Sequence, residues 1–158
     1  MGYTQVMAGL LALGLAGAEL ACAVSAEAAS DSPPGAITEC GACHMVFPPQ
    51  FLPQRSWAML LGKLDDHFGE IASLTDDKKS AILAYLTVNA ADGPSTGPTG
   101  QQFLWGLAPG MAPLRITDMP WWMGAHQEVS FAGIQSTPVK SASNCLGCHN
   151  DGGGDGSD

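Results

Sequence analysis

From Ser56 onward, apolar residues recur at intervals of three and four: Trp57, Leu60, Leu61, Leu64 and Phe68. This spacing is one stripe of a helix, which Ser56 is placed to cap and Gly69 to end. His67 falls on the same stripe, three residues after Leu64, and is therefore expected to point inward. A second helix is predicted from Thr75 as its cap. Asp76 and Asp77 complement the positive end of its dipole, and Ile82, Leu83 and Leu86 form its buried face. Asn89 and the run Asp92-Gly93-Pro94 stop it.

The periodicity then fails. Between Asp92 and Asp118 there are five glycines and four prolines among 27 residues, which reads as a long irregular connection. Thr117 or Asp118 is positioned to cap a short helix with Pro120 in its first turn, carrying Trp121, Trp122 and then His126. Val129 to Ser143 shows only weak alternation, and the tail Asp151 to Asp158 has no apolar residue and is expected to be disordered. The fold expected is mainly α, with a helical N-terminal half and a largely irregular C-terminal half.

Ahead of these elements, Val6 to Val24 is apolar except for Glu19, and the small-residue run Ala26-Glu27-Ala28 precedes polar Ser30-Asp31-Ser32. That order describes an export signal cleaved near Ala28, although Met1 to Met7 contains no Lys or Arg to supply the usual positive flank. The alternative is a retained anchor, since the apolar length approaches that of a spanning helix. Glu19 stands where a lipoprotein signal wants an apolar residue, so Cys22 is expected to leave with the leader. The resulting organisation is a signal peptide over 1–28, an N-terminal unit over 29–91 and a C-terminal unit over 92–158.

Every cysteine outside the leader belongs to one of two copies of Cys-x-x-Cys-His: Cys40-Gly-Ala-Cys43-His44 and Cys145-Leu-Gly-Cys148-His149. This is the pattern of covalent haem c attachment. Two thiols separated by two residues can each form a thioether to a haem vinyl group, while the adjoining imidazole turns under the ring to the iron. Two such motifs imply two covalently attached haem c groups. Zinc is the competing metal, because Cys-x-x-Cys pairs with histidines also suit a tetrahedral site. Here, however, the pairs lie about a hundred residues apart, and each carries the adjoining histidine.

Haem iron takes one axial ligand from the motif, here His44 and His149, and a second from elsewhere in the fold. The chain has four histidines, so His67 and His126 equal in number the two remaining axial positions. Methionine thioethers are the competing donors, Met111, Met119 and Met123 downstream and Met45 and Met59 upstream. Met45 is too close to its own motif to reach the opposite face of the ring, whereas Met119 and Met123 compete with His126, and most are expected to be packing residues. His67 follows His44 by 23 residues and His126 precedes His149 by 23, so loop closure favours pairing within each half over a crossed arrangement. Asp65, Asp66 and Glu128 are nearby carboxylates for orienting the distal rings. Arg55 and Arg115 are available to haem propionates, and Trp57, Trp105, Trp121 and Trp122 to haem edges or to ordinary core packing.

The formal charge of the whole chain is -9. Loss of the leader removes Glu19 and Glu27, leaving 13 acidic against 6 basic residues and a charge of -7. That balance disfavours nucleic acid and anionic lipid and favours a partner with a basic docking face.

The runs Glu39-Cys-Gly-Ala-Cys-His44-Met-Val-Phe-Pro-Pro-Gln-Phe-Leu-Pro-Gln-Arg-Ser-Trp57, Leu64-Asp-Asp-His-Phe-Gly-Glu70, Arg115-Ile-Thr-Asp-Met-Pro-Trp-Trp122 and Asn144-Cys-Leu-Gly-Cys-His149 resemble the bacterial dihaem cytochrome c family. The resemblance implies an N-terminal half like a small class I cytochrome c. It also implies bis-histidine coordination, with His44 and His149 as motif ligands and His67 and His126 as distal ones. The implied function is that of an exported electron carrier, expected here to be a periplasmic monomer passing single electrons between a membrane donor and a soluble partner. A small oxygen-binding monohaem cytochrome and a membrane b-type cytochrome are the implied partners, with transient docking. The alternative is a dihaem peroxidase in which one distal histidine is displaced, which needs an acid-base residue such as Glu70 or Glu128 beside the open iron. A redox or gas sensor is a third reading, with no output module to support it.

Overall fold

Prolines set the path into the first long helix. Pro49 opens a 3-10 turn over Pro49–Phe51, and Pro53, extended at φ -72° and ψ 158°, stands as N-cap of the helix that follows. The computed structural model describes residues 35–136 and 139–149. The leader, Cys22 and the acidic tail therefore lie outside the described residues.

The described residues form six α-helices joined by 3-10 turns, with no strand among them. They are α1 (Ala36–Glu39), α2 (Gln54–Leu61), α3 (Asp76–Val88), α4 (Gly97–Gly100), α5 (Pro120–Ala125) and α6 (Phe131–Ser136). No helix of the described residues is long and apolar enough to cross a membrane.

Helix α2 differs from its sequence reading at both ends. Pro53 rather than Ser56 takes the cap position, and Ser56 lies inside the helix, fully buried, its Oγ without a hydrogen-bond partner. Gly62 ends the helix a full two turns before Gly69, its N–H donating to the Ala58 carbonyl. The apolar stripe outlasts the helix because Leu64 packs on the same core from a separate 3-10 turn, Leu64–Asp66. Helix α3 follows its prediction closely: Thr75 caps it, Asp76 and Asp77 occupy its first turn, Asn89 ends it, and Ile82 and Leu86 are buried. It packs along α2.

The glycine- and proline-rich connection is held close to the body. Thr96 Oγ1 donates to the carbonyls of Ala90 and Asn89, at 2.6 and 3.0 Å, and Gly100 lies where a Cβ would collide with the backbone of Ala91. It carries α4 and the 3-10 turns Gln101–Leu104 and Ile116–Asp118. Pro120 starts α5 as predicted, with Met119 at the cap position in place of Thr117 or Asp118. The weakly patterned segment after His126 contains α6.

One cluster of buried residues serves both halves of the chain: Ala36, Leu52, Trp57, Leu60, Leu61, Ile82, Leu86 and Ala90, joined by Met119 and Trp122. Beside it, the rings of Phe51, Phe103 and Trp121 pack with centroids 5.1–5.4 Å apart, and Trp121 Nε1 donates to the Phe51 carbonyl. These contacts fix the second half of the chain against the first.

Candidate haem centres

Both Cys-x-x-Cys-His motifs fold as the same tight turn. In the first, the Cys40 carbonyl accepts from the N–H groups of Cys43 and His44, both at 3.3 Å; in the second, the Cys145 carbonyl accepts from Cys148 and His149, at 3.1 and 2.8 Å. Each turn brings two thiols and an imidazole together within five residues. Cys40 and Cys145 are half-buried, while Cys43 and Cys148 are exposed. Burial raises the Cys40 thiol above its ordinary pKa, with Glu39 adding to the effect. Burial also raises Cys145, opposed by a backbone hydrogen bond and reinforced by Cys148.

The imidazoles meet in pairs. His44 and His67 face each other with centroids 6.2 Å apart and planes 25° from parallel. His126 and His149 stand 6.1 Å apart with planes 81° apart. A nitrogen-to-metal bond of about 2 Å on each side, plus about 1.1 Å from each nitrogen to its ring centre, places two trans imidazoles about 6.2 Å apart. Both pairs therefore have the ring separation that one metal between two imidazoles requires. The described residues contain no group of three or more His, Cys, Asp or Glu placed to hold a metal ion by themselves. A tetrahedral zinc site needs four protein donors, whereas a haem iron already has four porphyrin nitrogens and asks the protein for two. Paired imidazoles without further donors match the haem.

Each ring is oriented by its neighbours. His44 Nδ1 bonds the Met45 carbonyl at 2.6 Å, and its ring stacks on Phe47. His126, just past the end of α5, bonds the Trp122 carbonyl through Nδ1 at 2.9 Å and stacks on the Trp122 indole at 4.2 Å, the planes 14° from parallel. An Nδ1–H donated to a carbonyl leaves Nε2 as the bare lone pair, the tautomer a metal ligand requires.

His67 sits outside α2, on a two-residue turn. It exchanges backbone hydrogen bonds with Glu70 at 2.8 and 3.2 Å, and Phe68 and Gly69 between them have φ of 59° and 97°. Positive φ at both central positions is the signature of the type I′ hairpin turn. Asp66 Oδ1 accepts the Gly69 N–H at 3.2 Å. Burial, and secondarily His44, pushes the His67 imidazole below its ordinary pKa, which favours the neutral form that coordinates metal.

Other sequence candidates have different placements. Met119 is fully buried in the shared core, while Met59, Met111 and Met123 are exposed. Asp65 and Glu128 are exposed, and Asp66 is used by its own turn. Arg55 Nη1 pairs with Asp92 Oδ2 at 3.2 Å, and its Nε donates to the Met111 carbonyl. Arg115 lies over the Phe68 ring, 4.1 Å from its centroid. Sequence reasoning missed Phe47 and Phe68 as packing partners of the histidines, and Trp122 as the orienting partner of His126. Only the last had a signal, its spacing of four residues on one helix face.

The two motifs also meet each other. Cys43, His44 and Met45 line one side of a cavity of about 350 Å³, and Ser143, Asn144, Cys145 and Leu146 line the other.

The family model for dihaem cytochrome c matches residues 36–155. Among solved structures, a diheme cytochrome c from Rhodobacter sphaeroides is 43% identical, with a TM-score of 0.66 over 74% of this chain and 90% of that one. The crystal structure of a DHC purified from Rhodobacter sphaeroides is 40% identical, with a TM-score of 0.59 over 74% of this chain and 89% of that one. A diheme cytochrome type c from Shewanella baltica is 31% identical, with a TM-score of 0.58 over 77% and 85%. No curated protein matches the chain.

Proposed function

Since the chain belongs to the dihaem cytochrome c family, electron-transfer proteins with two covalently bound haem c groups, we propose that it is a bis-histidine relay working in the periplasm. Each haem supplies a one-electron couple when bound. Cys40 and Cys43 would hold one haem and Cys145 and Cys148 the other, with His44 and His67 as the imidazoles available to the first iron and His126 and His149 to the second. The observation that carries this reading is the separation of the two imidazole pairs, 6.2 and 6.1 Å.

Two imidazoles at each iron would leave no position open to substrate and would favour lower potentials than a methionine ligand. The common cavity between the motifs supports direct passage of an electron from one haem to the other within a monomer. The acidic surface suits weak, steered docking on a basic face. Family resemblance points to a membrane b-type cytochrome as donor and a small oxygen-binding monohaem cytochrome as acceptor. The apolar leader with its small-residue cleavage site supports export.

Absorption spectra of the reduced holoprotein with and without carbon monoxide test the reading. Two closed irons should leave the spectrum unchanged over the time in which the His67→Ala and His126→Ala variants each bind one equivalent. Rapid binding by the unaltered protein would replace the relay with an enzymatic or gas-binding role.

A further inference from the structure

The geometry points to Arg115 as a positioning residue for His67, acting through the ring of Phe68 across the two halves of the chain. The inference rests on His67 being an axial ligand, as proposed above.

Phe68 is an unusual choice for its position. At φ 59° a bulky side chain crowds its own backbone, and glycine or asparagine would adopt that conformation more easily. Such a residue persists only where its surroundings hold it. Two contacts do so. The ring lies tilted against the His67 imidazole, with centroids 4.9 Å apart and planes at 60°, and the Arg115 guanidinium lies over it at 4.1 Å from its centroid. The latter is within the range of a cation–π attraction.

The side chain of Arg115 is exposed, but its backbone is firmly placed. Its carbonyl accepts the Asp118 N–H at 3.1 Å, its neighbours Leu114 and Ile116 pack against the core, and Met119 beyond them is completely buried. The turn it covers is closed by its own local hydrogen bonds, between His67 and Glu70 and from Gly69 to Asp66, but packs little against the body: Phe68 is 46% exposed, Ile71 is 82% exposed, and Gly69 and Glu70 are exposed as well. Arg115 therefore supplies a tertiary restraint, from a distant part of the chain, on the turn that presents His67 to His44. Loosening it increases the fraction of time in which His67 swings away from the iron.

The test is the rate at which carbon monoxide enters the reduced holoprotein, compared among the unaltered protein, Arg115→Met, Arg115→Lys, Phe68→Leu, the Met/Leu double variant and His67→Ala. Arg115→Met and Phe68→Leu should each take up the gas about two- to fivefold faster than the unaltered protein, the range expected from losing one such contact between exposed groups. The double variant should be no faster than the quicker single one, because both changes break one linkage. Arg115→Lys, which keeps a cation, should fall between. Unchanged rates in the single variants would overturn the inference. So would effects that multiply in the double variant, since Arg115 would then act on the haem independently of Phe68. If the unaltered protein takes up the gas as fast as His67→Ala, His67 is not the ligand and both readings fall together.

Discussion

The imidazole planes of His126 and His149 stand 81° apart, whereas those of His44 and His67 lie within 25° of parallel. An axial imidazole interacts with the iron d orbital perpendicular to its plane. Parallel rings act on the same orbital and split the pair strongly, while crossed rings act on both and leave them nearly equal. The oxidised holoprotein should therefore show two distinct low-spin EPR signals, the one from the crossed pair having the larger maximum g value. His126→Ala should remove that signal and retain the other. Two superimposable signals would contradict the difference in ring orientation.

Trp122 holds His126 twice, by its indole face and its carbonyl, and is itself a core residue. Trp122→Leu should lower stability by about 2–4 kcal/mol, as large-to-small core changes do, and speed gas binding at the second haem. Trp122→Phe keeps an aromatic face and should show a smaller change in both. Denaturant titration and carbon monoxide uptake measure the two effects separately.

The first turn of α2 is capped from a distance. Its own cap residue is Pro53, and the Gln54 N–H donates to Asp92 Oδ1 at 2.7 Å while Arg55 pairs with the other oxygen of that carboxylate. Asp92→Asn keeps an acceptor at the helix end and should cost about 0.5–1 kcal/mol, and Asp92→Ala about 1–2 kcal/mol. Equal losses in chemical denaturation would show that the acceptor at the helix end contributes nothing.

Ser56 has a buried hydroxyl with no partner inside a helix. Ser56→Ala removes that group and substitutes a better helix former, so it should be neutral or stabilising by up to about 1 kcal/mol. A clear fall in melting temperature would reveal a hydrogen bond at Oγ.

These sites show what was legible in the residues alone. The cap, dipole complement and stop of α3 were all readable because each acts within a turn of its own position. Ser56 and Gly69 were misleading because Pro53 had already fixed the start of α2, and because an apolar stripe records burial whether or not the backbone stays helical. Asp92 was invisible as a cap, since nothing local links it to a helix beginning 38 residues earlier.

The covalent chemistry is written in adjacent residues. Two thiols and an imidazole within five positions specify haem attachment wherever that segment lies, so the sequence by itself determined the cofactor, its number and the four histidines available to it. Only the tertiary structure decided which imidazole faces which, at what angle, and that the two attachment turns border one cavity. Those relationships depend on packing between segments far apart in the chain, through Met119 and Trp122 in the common core and Arg115 over Phe68. Local propensity carries no record of such contacts, because their free energy comes from surfaces that meet only after the chain has folded.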